Sequence, residues 1–446
     1  MNILFISLGC DKNLVDSEYM IGMLNAAGYT ITDDETDADV IVVNSCCFIG
    51  DAKEESIQTI LSMAKYKETG KLKALIVTGC LAQRYQDEVL EEIPEVDAVL
   101  GTNAYDAIVE AVEGALKGSV YKNYHALEGL PDMHDKKRLV TTGGHYAYLK
   151  IAEGCDKHCT YCVIPSIRGA YRSVPMEELI DQAKQLVAQG VRELILVAQE
   201  TTVYGVDLYG EKSLHRLLDG LNAIDGLYWI RLMYCYPEEI DTQLIEAIKR
   251  NGKVVHYLDM PIQHINDDIL KRMGRRTSGA ELADKIELLR SEIPDICLRT
   301  TLITGFPGET KEQHEEVLDF IDELEFDRLG AFTYSAEEDT PAAGFDNQID
   351  EDVKAARRDA VMELQQEISA DRSAEVVGRT LKVMIEGKLA DEDVYVGRTY
   401  RDAPNVDGYV FVNTDAQLMS GDFIPVKITA SDNYDLIGEP DYEFAE

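Results

Sequence analysis

The chain has no long apolar run, and it is short of cationic residues. Its 446 residues include 43 Lys and Arg against 82 Asp and Glu, which gives a formal net charge of -39. Without an apolar stretch long enough to cross a bilayer, no membrane span is expected. The first ten residues also lack the cationic region of a signal sequence and turn polar at Asp11, so they predict a β-strand. We therefore expect a cytoplasmic protein whose nine cysteines are ligands or buried thiols rather than disulfides.

The shortage of positive charge limits the possible partners. A protein that binds nucleic acid gains affinity by neutralising phosphates, which requires a basic surface. The clearest basic segment, 271–276, is equally typical of an ordinary helix end. Transfer RNA is therefore not expected as a partner, whereas a strongly basic protein would be attracted. A generally acidic proteome is the alternative explanation of the charge.

A loop with three cysteines lies in the middle of the chain. Cys155, Cys159 and Cys162 stand in a C-x-x-x-C-x-aromatic-C pattern. Three thiolates can hold three irons of a [4Fe-4S] cluster and leave the fourth iron open to a small molecule. A zinc site with His158 as a fourth ligand and a disulfide in an oxidising compartment are the alternatives. The pattern resembles that of radical S-adenosylmethionine (SAM) enzymes, in which the open iron binds SAM and one electron splits it into a radical that abstracts hydrogen.

Three predicted strands near the N-terminus each lead to a cysteine. Apolar runs and their cysteines alternate along this part of the chain: 3–8 before Cys10, 40–43 before Cys46 and 74–78 before Cys80. Continuous β-branched runs between helical patterns predict a parallel βαβ sheet covered on both faces. Because the carboxyl ends of parallel strands meet at one edge, we expect a second three-thiolate site there. Cys47 can replace Cys46 as a ligand, but alternation along a strand allows only one of the two to serve.

Composition and periodicity divide the chain into three domains and a linker. The predicted bounds are 1–120 for the N-terminal domain, 121–143 for the linker, 144–374 for the central domain and 375–446 for the C-terminal domain. In the central domain, apolar runs alternate with helical patterns, and six strands are predicted: 146–152, 193–198, 228–233, 254–259, 297–303 and 328–334. Six strand-helix units predict an open or partial (β/α)6 barrel, with its ligand site at the C-terminal ends of the strands.

The last part of the chain is expected to be a small β-domain. A charged helical pattern without glycine, over 351–375, leads into it. Short strands at 380–385, 409–412 and 423–428 follow, separated by Gly-Asp and Asp-Gly turns. These features predict a small antiparallel β-barrel or sandwich. The fold class of the whole chain is therefore α/β with a C-terminal β-barrel.

Several polar residues are candidates to bind SAM. Lys150, Arg168 and Arg172 flank the cysteine loop and can hold the SAM carboxylate, since a guanidinium suits a carboxylate; solvation at the surface is the alternative. Gln199 and Glu200 follow a predicted strand, where a carboxylate can accept a hydrogen bond from the SAM amino group. Their alternative role is to begin a helix.

Residues at other strand ends complete the predicted site. Gly305 lies in a turn after a strand and can let the backbone approach the adenosine of SAM. Tyr234, Tyr236, Gln263 and His264 are candidates to line the substrate mouth. For His264 a hydrogen-bonded structural role is favoured over catalysis, and no catalytic residue is assigned.

Two three-thiolate sites that face one cavity favour sulfur insertion. One cluster would generate the radical, and the other would carry a sulfide or methylsulfide on its open iron to the resulting carbon radical. Electron relay is the competing interpretation of the second cluster, but relay does not require an open iron.

The whole chain resembles the methylthiotransferases, which join an N-terminal domain, a radical SAM core and a C-terminal TRAM β-domain. The resemblance lies in 7–18 (SLGCDKNLVDSE), 43–46 (VNSC) and 77–84 (VTGCLAQR). Within that family, RimO-like members modify an aspartate of ribosomal small-subunit protein twelve, and MiaB-like members modify a tRNA adenosine. The segments that resemble the RimO-like class are 197–202 (VAQETT), 231–237 (RLMYCYP), 257–264 (YLDMPIQH) and 402–408 (DAPNVDG).

The resemblance implies a set of ligands, cofactors and partners. The auxiliary [4Fe-4S] cluster would be bound by Cys10, Cys46 and Cys80, and the radical SAM cluster by Cys155, Cys159 and Cys162. SAM would serve twice, as methyl donor to sulfur and as radical source, and the methylthio group would reach the aspartate β-carbon. Further partners are an electron donor such as flavodoxin or ferredoxin, a sulfur source, and the basic ribosomal protein, which an acidic C-terminal domain would attract. The alternatives are a tRNA methylthiotransferase and a non-catalytic iron-sulfur or zinc interaction protein.

Overall fold

The structure is a computed structural model that describes residues 1–124, 127–133 and 136–442. Part of the predicted linker (His125, Ala126, His134 and Asp135) and residues 443–446 of the predicted C-terminal domain lie outside the described residues. The described residues form these β-strands: β1 (Asn2–Ser7), β2 (Thr30–Thr32), β3 (Val40–Ser45), β4 (Ala74–Gly79), β5 (Ala98–Leu100), β6 (Tyr121–Asn123), β7 (Tyr146–Lys150), β8 (Ala152–Glu153), β9 (Arg172–Ser173), β10 (Glu193–Val197), β11 (Trp229–Leu232), β12 (Val254–Asp259), β13 (Cys297–Thr304), β14 (Arg328–Thr333), β15 (Thr380–Lys388), β16 (Val394–Arg398), β17 (Val410–Asn413), β18 (Phe423–Ser431) and β19 (Leu436–Pro440).

Helices alternate with the strands through the first two domains. The α-helices are α1 (Asp11–Ala26), α2 (Gly50–Ala64), α3 (Tyr66–Thr69), α4 (Cys80–Tyr85), α5 (Asp87–Glu92), α6 (Ile108–Leu116), α7 (Ile164–Arg168), α8 (Met176–Ala188), α9 (Val206–Tyr209), α10 (Leu214–Asn222), α11 (Thr242–Arg250), α12 (Asp267–Arg272), α13 (Gly279–Glu292), α14 (Lys311–Leu324) and α15 (Glu351–Ala374). Short 3-10 helices occur at Glu35–Asp37, Tyr105–Ala107, Pro237–Glu239 and Pro341–Gly344. Within the described ranges, no helix combines the length and apolarity that crossing a bilayer requires.

Six parallel strands form the N-terminal sheet, in the order β2-β1-β3-β4-β5-β6. The strands β3 and β4 are buried along their whole length, as their continuous Val and Ile runs predict. Ser7 of β1 pairs with Asn44 of β3, and Ser45 of β3 pairs with Gly79 of β4, so the carboxyl ends of these three strands lie at one edge. The predicted parallel sheet is confirmed, and β6 adds a strand from the span assigned to the linker.

Six parallel strands also form the central sheet, in the order β14-β13-β12-β11-β10-β7, and this sheet stays open. Amphipathic helices cover its outer face; α10, for example, buries four leucines at helical spacing: Leu214, Leu217, Leu218 and Leu221. The predicted partial (β/α)6 barrel is confirmed. A two-stranded antiparallel ribbon of β8 and β9 brackets the cysteine loop, because Glu153 pairs with Arg172.

The C-terminal domain is a closed five-stranded barrel in the order β15-β16-β17-β19-β18. Its pairings are antiparallel except for β17 with β19, which is parallel. The long helix α15 packs on β13 and β14 of the central sheet before the chain enters the barrel. The predicted β-barrel is confirmed, although β16 and β19 were not among the predicted strands.

Buried ion pairs attach the C-terminal barrel to the central sheet. The Arg398 guanidinium lies 2.7 Å from Glu193, and both side chains are fully buried. Arg401 lies 3.0 Å from Asp327. Apolar residues of all three domains share one core on the inner face of the central sheet, including Met20, Tyr257, Met384 and Ala403. The edge with the N-terminal cysteines is therefore held in a fixed position against the central barrel.

Candidate functional site

Three cysteines, called here the strand-end trio, converge at the carboxyl edge of the N-terminal sheet: Cys10, Cys46 and Cys80. Cys46 and Cys80 are buried and Cys10 is partly exposed. Burial raises the pKa of the Cys46 thiol to about 12, and the nearby Cys80 and Cys10 add to the shift. Gly9 has a left-handed φ of +83°, and an added Cβ there would lie 2.7 Å from the Cys46 Cβ. The end of β1 is thus pressed against Cys46.

Cys47 occupies a different environment from Cys46. Its side chain is fully buried in the apolar core of the N-terminal domain. Burial raises the pKa of the Cys47 thiol to about 12, with Cys80 adding to the shift and the cation of Arg84 opposing it. The nearby Cys10 adds to the raised pKa of Cys46. This arrangement supports Cys46 as the ligand, and the assignment stays a prediction.

Three further cysteines, called here the loop trio, lie between β8 and α7: Cys155, Cys159 and Cys162. Cys155 and Cys159 are buried, and burial raises the pKa of Cys155 to about 11, with Cys159 adding to the shift. The Cys155 amide donates to the Gly169 carbonyl at 3.1 Å, and the Cys162 amide to the Cys159 carbonyl at 3.1 Å. The donor set of each trio, thiols without other ligating groups, is the one that binds iron-sulfur clusters.

Backbone contacts fix the loop trio in place. Gly154 has a left-handed φ of +81°, and an added Cβ would overlap the carbonyl oxygen of Ala170. The Thr160 amide donates to the Met273 carbonyl at 2.9 Å, and its hydroxyl donates to the Arg272 carbonyl at 2.7 Å.

Among the residues that the structure describes, no three His, Cys, Asp or Glu side chains have the spacing that a single metal ion requires.

A buried ionic network lies between the two trios. Arg168, 1% exposed, donates to Asp16 at 2.9 Å, to Glu153 at 3.0 Å and to the Cys80 sulfur at 3.5 Å. Lys150 binds the same two carboxylates, with Glu153 at 2.7 Å. The Arg168 charge therefore lies beside the strand-end trio, where it can offset the negative charge of thiolates.

The network reaches the loop trio through the end of β10. The Gln199 side-chain amide donates to Glu153 at 2.7 Å. Glu200 follows it in the chain, and its negative charge contributes to the raised pKa of Cys155. Three of the residues predicted to bind SAM are thus brought together around Glu153: Lys150, Arg168 and Gln199.

Two buried acceptor atoms without hydrogen-bond partners among the described residues lie near the loop trio. The Glu200 Oε2 and Gln199 Oε1 atoms are buried and have no hydrogen-bond partner among the described residues, although Glu200 Oε2 lies 3.8 Å from the Lys157 ammonium. The other Glu200 oxygen accepts from the Thr202 amide at 2.9 Å. Burial raises the pKa of Glu200 to about 7. Buried acceptors of this kind fit a cationic donor such as the SAM amino group.

Two other predicted residues do not bind the carboxylates of this network. Arg172 donates to the backbone carbonyls of Leu127, Gly129 (2.8 Å) and Arg168, so it binds the segment before the central domain. Gly305 follows β13, and the Lys354 side chain covers the space where its Cβ would lie. The roles predicted for them at SAM stay predictions.

The predicted mouth residues lie at the carboxyl ends of β11 and β12. Tyr234 and Gln263 both have left-handed backbone, with φ of +60° and +69°. The Tyr236 hydroxyl lies 3.8 Å from the Cys159 sulfur. Burial lowers the pKa of His264 to about 3, and its Nδ1 accepts from the Asn266 amide at 3.0 Å, while its buried Nε2 has no hydrogen-bond partner among the described residues.

Sequence reasoning missed the partners of the cationic residues. Asn13, Asp16 and Glu153 bind Arg168, and none of them was a candidate. Their positions gave a signal, because Glu153 lies two residues before Cys155, and Asn13 and Asp16 follow Cys10 within two helical turns. A polar residue near a ligand cysteine in the sequence is a candidate to contact it.

Comparisons with known proteins cover the whole chain. Three family models match: Uncharacterized protein family UPF0004 at residues 2–101, Radical SAM superfamily at 149–321 and TRAM domain at 377–440. The chain is 61% identical over 438 residues to a Lachnoclostridium phytofermentans protein named ribosomal protein uS12 methylthiotransferase RimO, across 98% of this chain and 99% of that protein. Proteins with the same name from Clostridioides difficile and Acetivibrio thermocellus are 48% and 50% identical, across 100% and 97% of both chains.

Solved structures share the fold at low identity. The radical S-adenosylmethionine methyltransferase TsrM from Kitasatospora setae, with cobalamin and a [4Fe-4S] cluster bound, matches with a TM-score of 0.53 and 14% identity, over 74% of this chain and 72% of that chain. The same enzyme with tryptophan substrate and a SAM analogue bound has a TM-score of 0.52 and 13% identity, over 91% and 80%.

Proposed function

The chain belongs to the RimO family of ribosomal protein uS12 methylthiotransferases, and we propose that it uses two [4Fe-4S] clusters to transfer a methylthio group to the β-carbon of an aspartate in that protein. It is a radical SAM enzyme, so SAM and a [4Fe-4S] cluster are its cofactors. The second cluster, the target atom and the residues that act on them are the proposal. The MiaB-like alternative is not favoured, because the full-length relatives carry the uS12 name.

The observation that carries the proposal is the pair of cysteine trios joined by a buried network. We assign the loop trio to the radical SAM cluster and the strand-end trio to the auxiliary cluster. When bound, the first cluster supplies the electron that cleaves SAM, and the second supplies an open iron for sulfur. From the strand-end trio the network runs through Cys80, Arg168, Glu153 and Gln199, with successive contacts of 3.5, 3.0 and 2.7 Å. The next residue, Glu200, acts on Cys155 of the loop trio through its charge.

The surrounding residues have distinct roles in this proposal. Arg168 donates to the Cys80 sulfur and offsets negative charge at the auxiliary site. Glu200, whose buried Oε2 has no hydrogen-bond partner among the described residues, accepts a hydrogen bond from the SAM amino group. Tyr234 and Gln263, whose left-handed backbone is held at strand ends, line the entrance for the substrate.

The partners follow from charge and from the chemistry. Ribosomal protein uS12 is the substrate, and the net charge of -39 favours a basic protein over RNA. Reductive cleavage of SAM needs a one-electron donor such as flavodoxin or ferredoxin, and repeated turnover needs a sulfur source. We place the reaction in the cytoplasm. The proposed domain bounds are those predicted above: 1–120, 121–143, 144–374 and 375–446.

Anaerobic reconstitution tests the proposed function. The protein, loaded with iron and sulfide, is reduced with dithionite and incubated with SAM and a uS12 peptide that contains the target aspartate. Mass spectrometry should show replacement of one hydrogen by a methylthio group on that aspartate. Modification of tRNA without modification of the peptide would refute the substrate, and absence of 5′-deoxyadenosine would favour a non-catalytic role.

A further inference from the structure

A buried lysine lies between the strand-end trio and the mouth of the barrel. Lys12 is two residues after Cys10, in the first turn of α1, and is 6% exposed. Its Nζ lies 3.2 Å from the centre of the Tyr234 ring, which belongs to the central domain. The same Nζ lies 3.0 Å from Asp11 Oδ1. The cation is therefore placed where the auxiliary site meets the substrate entrance.

Hydrogen bonds fix the position of the Tyr234 ring, which lies against the Lys12 ammonium. Tyr234 follows β11 with a left-handed φ of +60°, which is unfavourable for a residue of its size. Its amide donates to Asp259 at 2.9 Å, and its hydroxyl donates to Asp11 at 3.3 Å. Strained backbone that surrounding contacts maintain is typical of positions that bind a ligand or substrate. Tyr234 and Asp11 together fix the position of the Lys12 ammonium.

Lys12 retains more capacity to bind an anion than Lys150 and Arg168, the two cations of the buried ionic network. Lys150 and Arg168 are each bound to two carboxylates, those of Asp16 and Glu153. Among the described residues, Lys12 is paired with one carboxylate, that of Asp11, and with the face of a ring. An ammonium has three N–H donors, so it can bind a second carboxylate without losing Asp11.

The proposed reaction needs a cation at such a position. Its target hydrogen is on the aspartate β-carbon, which is bonded directly to the side-chain carboxylate. A carboxylate that enters a buried site without a cationic partner costs several kcal/mol or takes up a proton. Holding that carboxylate also holds the β-carbon, one bond away.

We propose that the Lys12 ammonium binds the side-chain carboxylate of the target aspartate and so determines that the enzyme selects aspartate. This inference rests on the proposed function, since it names the group that recognises the substrate. Tyr234 and Asp11 act as positioning residues that hold the ammonium between the strand-end trio and the entrance.

Two uS12 peptides that differ only in Asp or Asn at the target position test this role. Their dissociation constants are measured by fluorescence anisotropy with the reconstituted enzyme, for the wild type, Lys12→Met and Lys12→Arg. A charge-assisted hydrogen bond predicts that the wild type prefers the Asp peptide by about tenfold to a hundredfold. Lys12→Met should bind both peptides as weakly as the wild type binds the Asn peptide, and Lys12→Arg should keep part of the preference. The matched control is Lys117→Met, an exposed lysine of the same domain, which should keep the full preference.

Iron content and SAM cleavage are measured on the same samples. The proposal expects both to stay at the wild-type level in Lys12→Met while the KM for the Asp peptide rises. An unchanged preference for Asp in Lys12→Met would overturn it. So would loss of iron in both Lys12 variants, since the lysine would then act through the cysteines. Failure of the proposed function has a different signature: the wild type would bind the peptides and cleave SAM but leave the aspartate unmodified.

Discussion

The two cysteine trios differ in how the chain assembles them and in the charge beside them. The loop trio spans eight residues of one loop, and an acidic side chain outside the loop, Glu200, adds to the raised pKa of Cys155. The strand-end trio comes from three strands across 71 positions of sequence, and a buried guanidinium contacts it. One site is thus prepared for a cationic ligand, and the other has its negative charge offset by the protein. Two sets of cysteine ligands can therefore serve different roles when the charge of the neighbouring side chains differs.

Removing one cysteine from each trio should have the largest effect and should separate the roles of the two sites. Cys155→Ala should abolish both SAM cleavage and methylthio transfer, because SAM binds at the loop site. Cys46→Ala should abolish methylthio transfer but retain 5′-deoxyadenosine formation, and each variant should keep about half of the iron. Chromatography of 5′-deoxyadenosine and mass spectrometry of the peptide separate these outcomes.

Cys47→Ala is the matched control for Cys46→Ala. It should retain iron, SAM cleavage and transfer, because Cys47 packs in the apolar core. If Cys47→Ala lost as much iron as Cys46→Ala, the ligand assignment would be wrong. If Cys46→Ala stopped SAM cleavage completely, the two trios would not act as separate centres.

Replacing the guanidinium should affect the strand-end trio more than the loop trio. Arg168→Met leaves Asp16 and Glu153 with one cation in a buried site, which should lower the free energy of unfolding by about 3–5 kcal/mol. Denaturant unfolding measures the loss, and iron analysis should show that the strand-end site empties first. Arg250→Met removes an exposed ion pair with Asp219 and should cost no more than about 1 kcal/mol. Equal losses in the two variants would contradict the role of Arg168.

Adding a methyl group before a cysteine tests how rigidly each trio is held. Gly154→Ala and Gly9→Ala both place a side chain on left-handed backbone, which should cost about 1–3 kcal/mol in the free energy of unfolding. Gly154→Ala should cost more, because its Cβ would meet a backbone carbonyl, whereas at Gly9 it would meet the Cys46 side chain. Gly252→Ala, with open space around it, is the control. A larger loss at Gly9 would reverse this ranking of the two sites.

The acidic side chain beside the loop trio should give SAM binding a pH dependence. Glu200, whose pKa is raised to about 7, is neutral at low pH and cannot pair with the SAM ammonium there. The affinity of the wild type for SAM should therefore rise by roughly fivefold to tenfold from pH 6 to pH 7.5 as the carboxyl ionises. Glu200→Gln should bind SAM about tenfold more weakly at pH 7.5, with a flat profile. Equilibrium dialysis measures both, and an equal slope in the variant would exclude Glu200 as the group.

The cysteines and the sheets were predictable because their signals are local. The spacing of Cys155, Cys159 and Cys162 lies within one loop, and the Val and Ile runs of β3 and β4 are continuous. Strands of three residues, β2, β5 and β6, gave no such signal, since so short a run has no periodicity. The parallel pairing of β17 with β19 also could not be predicted from the sequence, because it depends on how the strands close the barrel.

The contacts of the candidate site depend on how the N-terminal sheet meets the barrel. Arg168 was assigned to SAM because it follows the cysteine loop, yet its partners Asp16 and Cys80 come from the other domain. Its distance from Asp16 in the sequence is 152 residues, so no spacing rule connects them. Glu200 was recognised correctly as a residue at a strand end, but the burial of its Oε2 without a hydrogen-bond partner is a property of the packed structure.

The salt bridges between Arg398 and Glu193 and between Arg401 and Asp327 bear on how the last domain can be studied. Cutting the chain before β15 would remove one of the two cationic partners of Glu193 and of Asp327. Each carboxylate would keep its other partner, Arg231 or Arg372, but the face of the central sheet that the barrel covers would be exposed. Loss of activity on truncation would then report on this weakened, exposed interface as well as on substrate binding. Replacing exposed acidic residues of the intact barrel by lysine, as in Asp393→Lys, keeps these ion pairs. It therefore tests the long-range attraction between the acidic barrel and a basic substrate by itself.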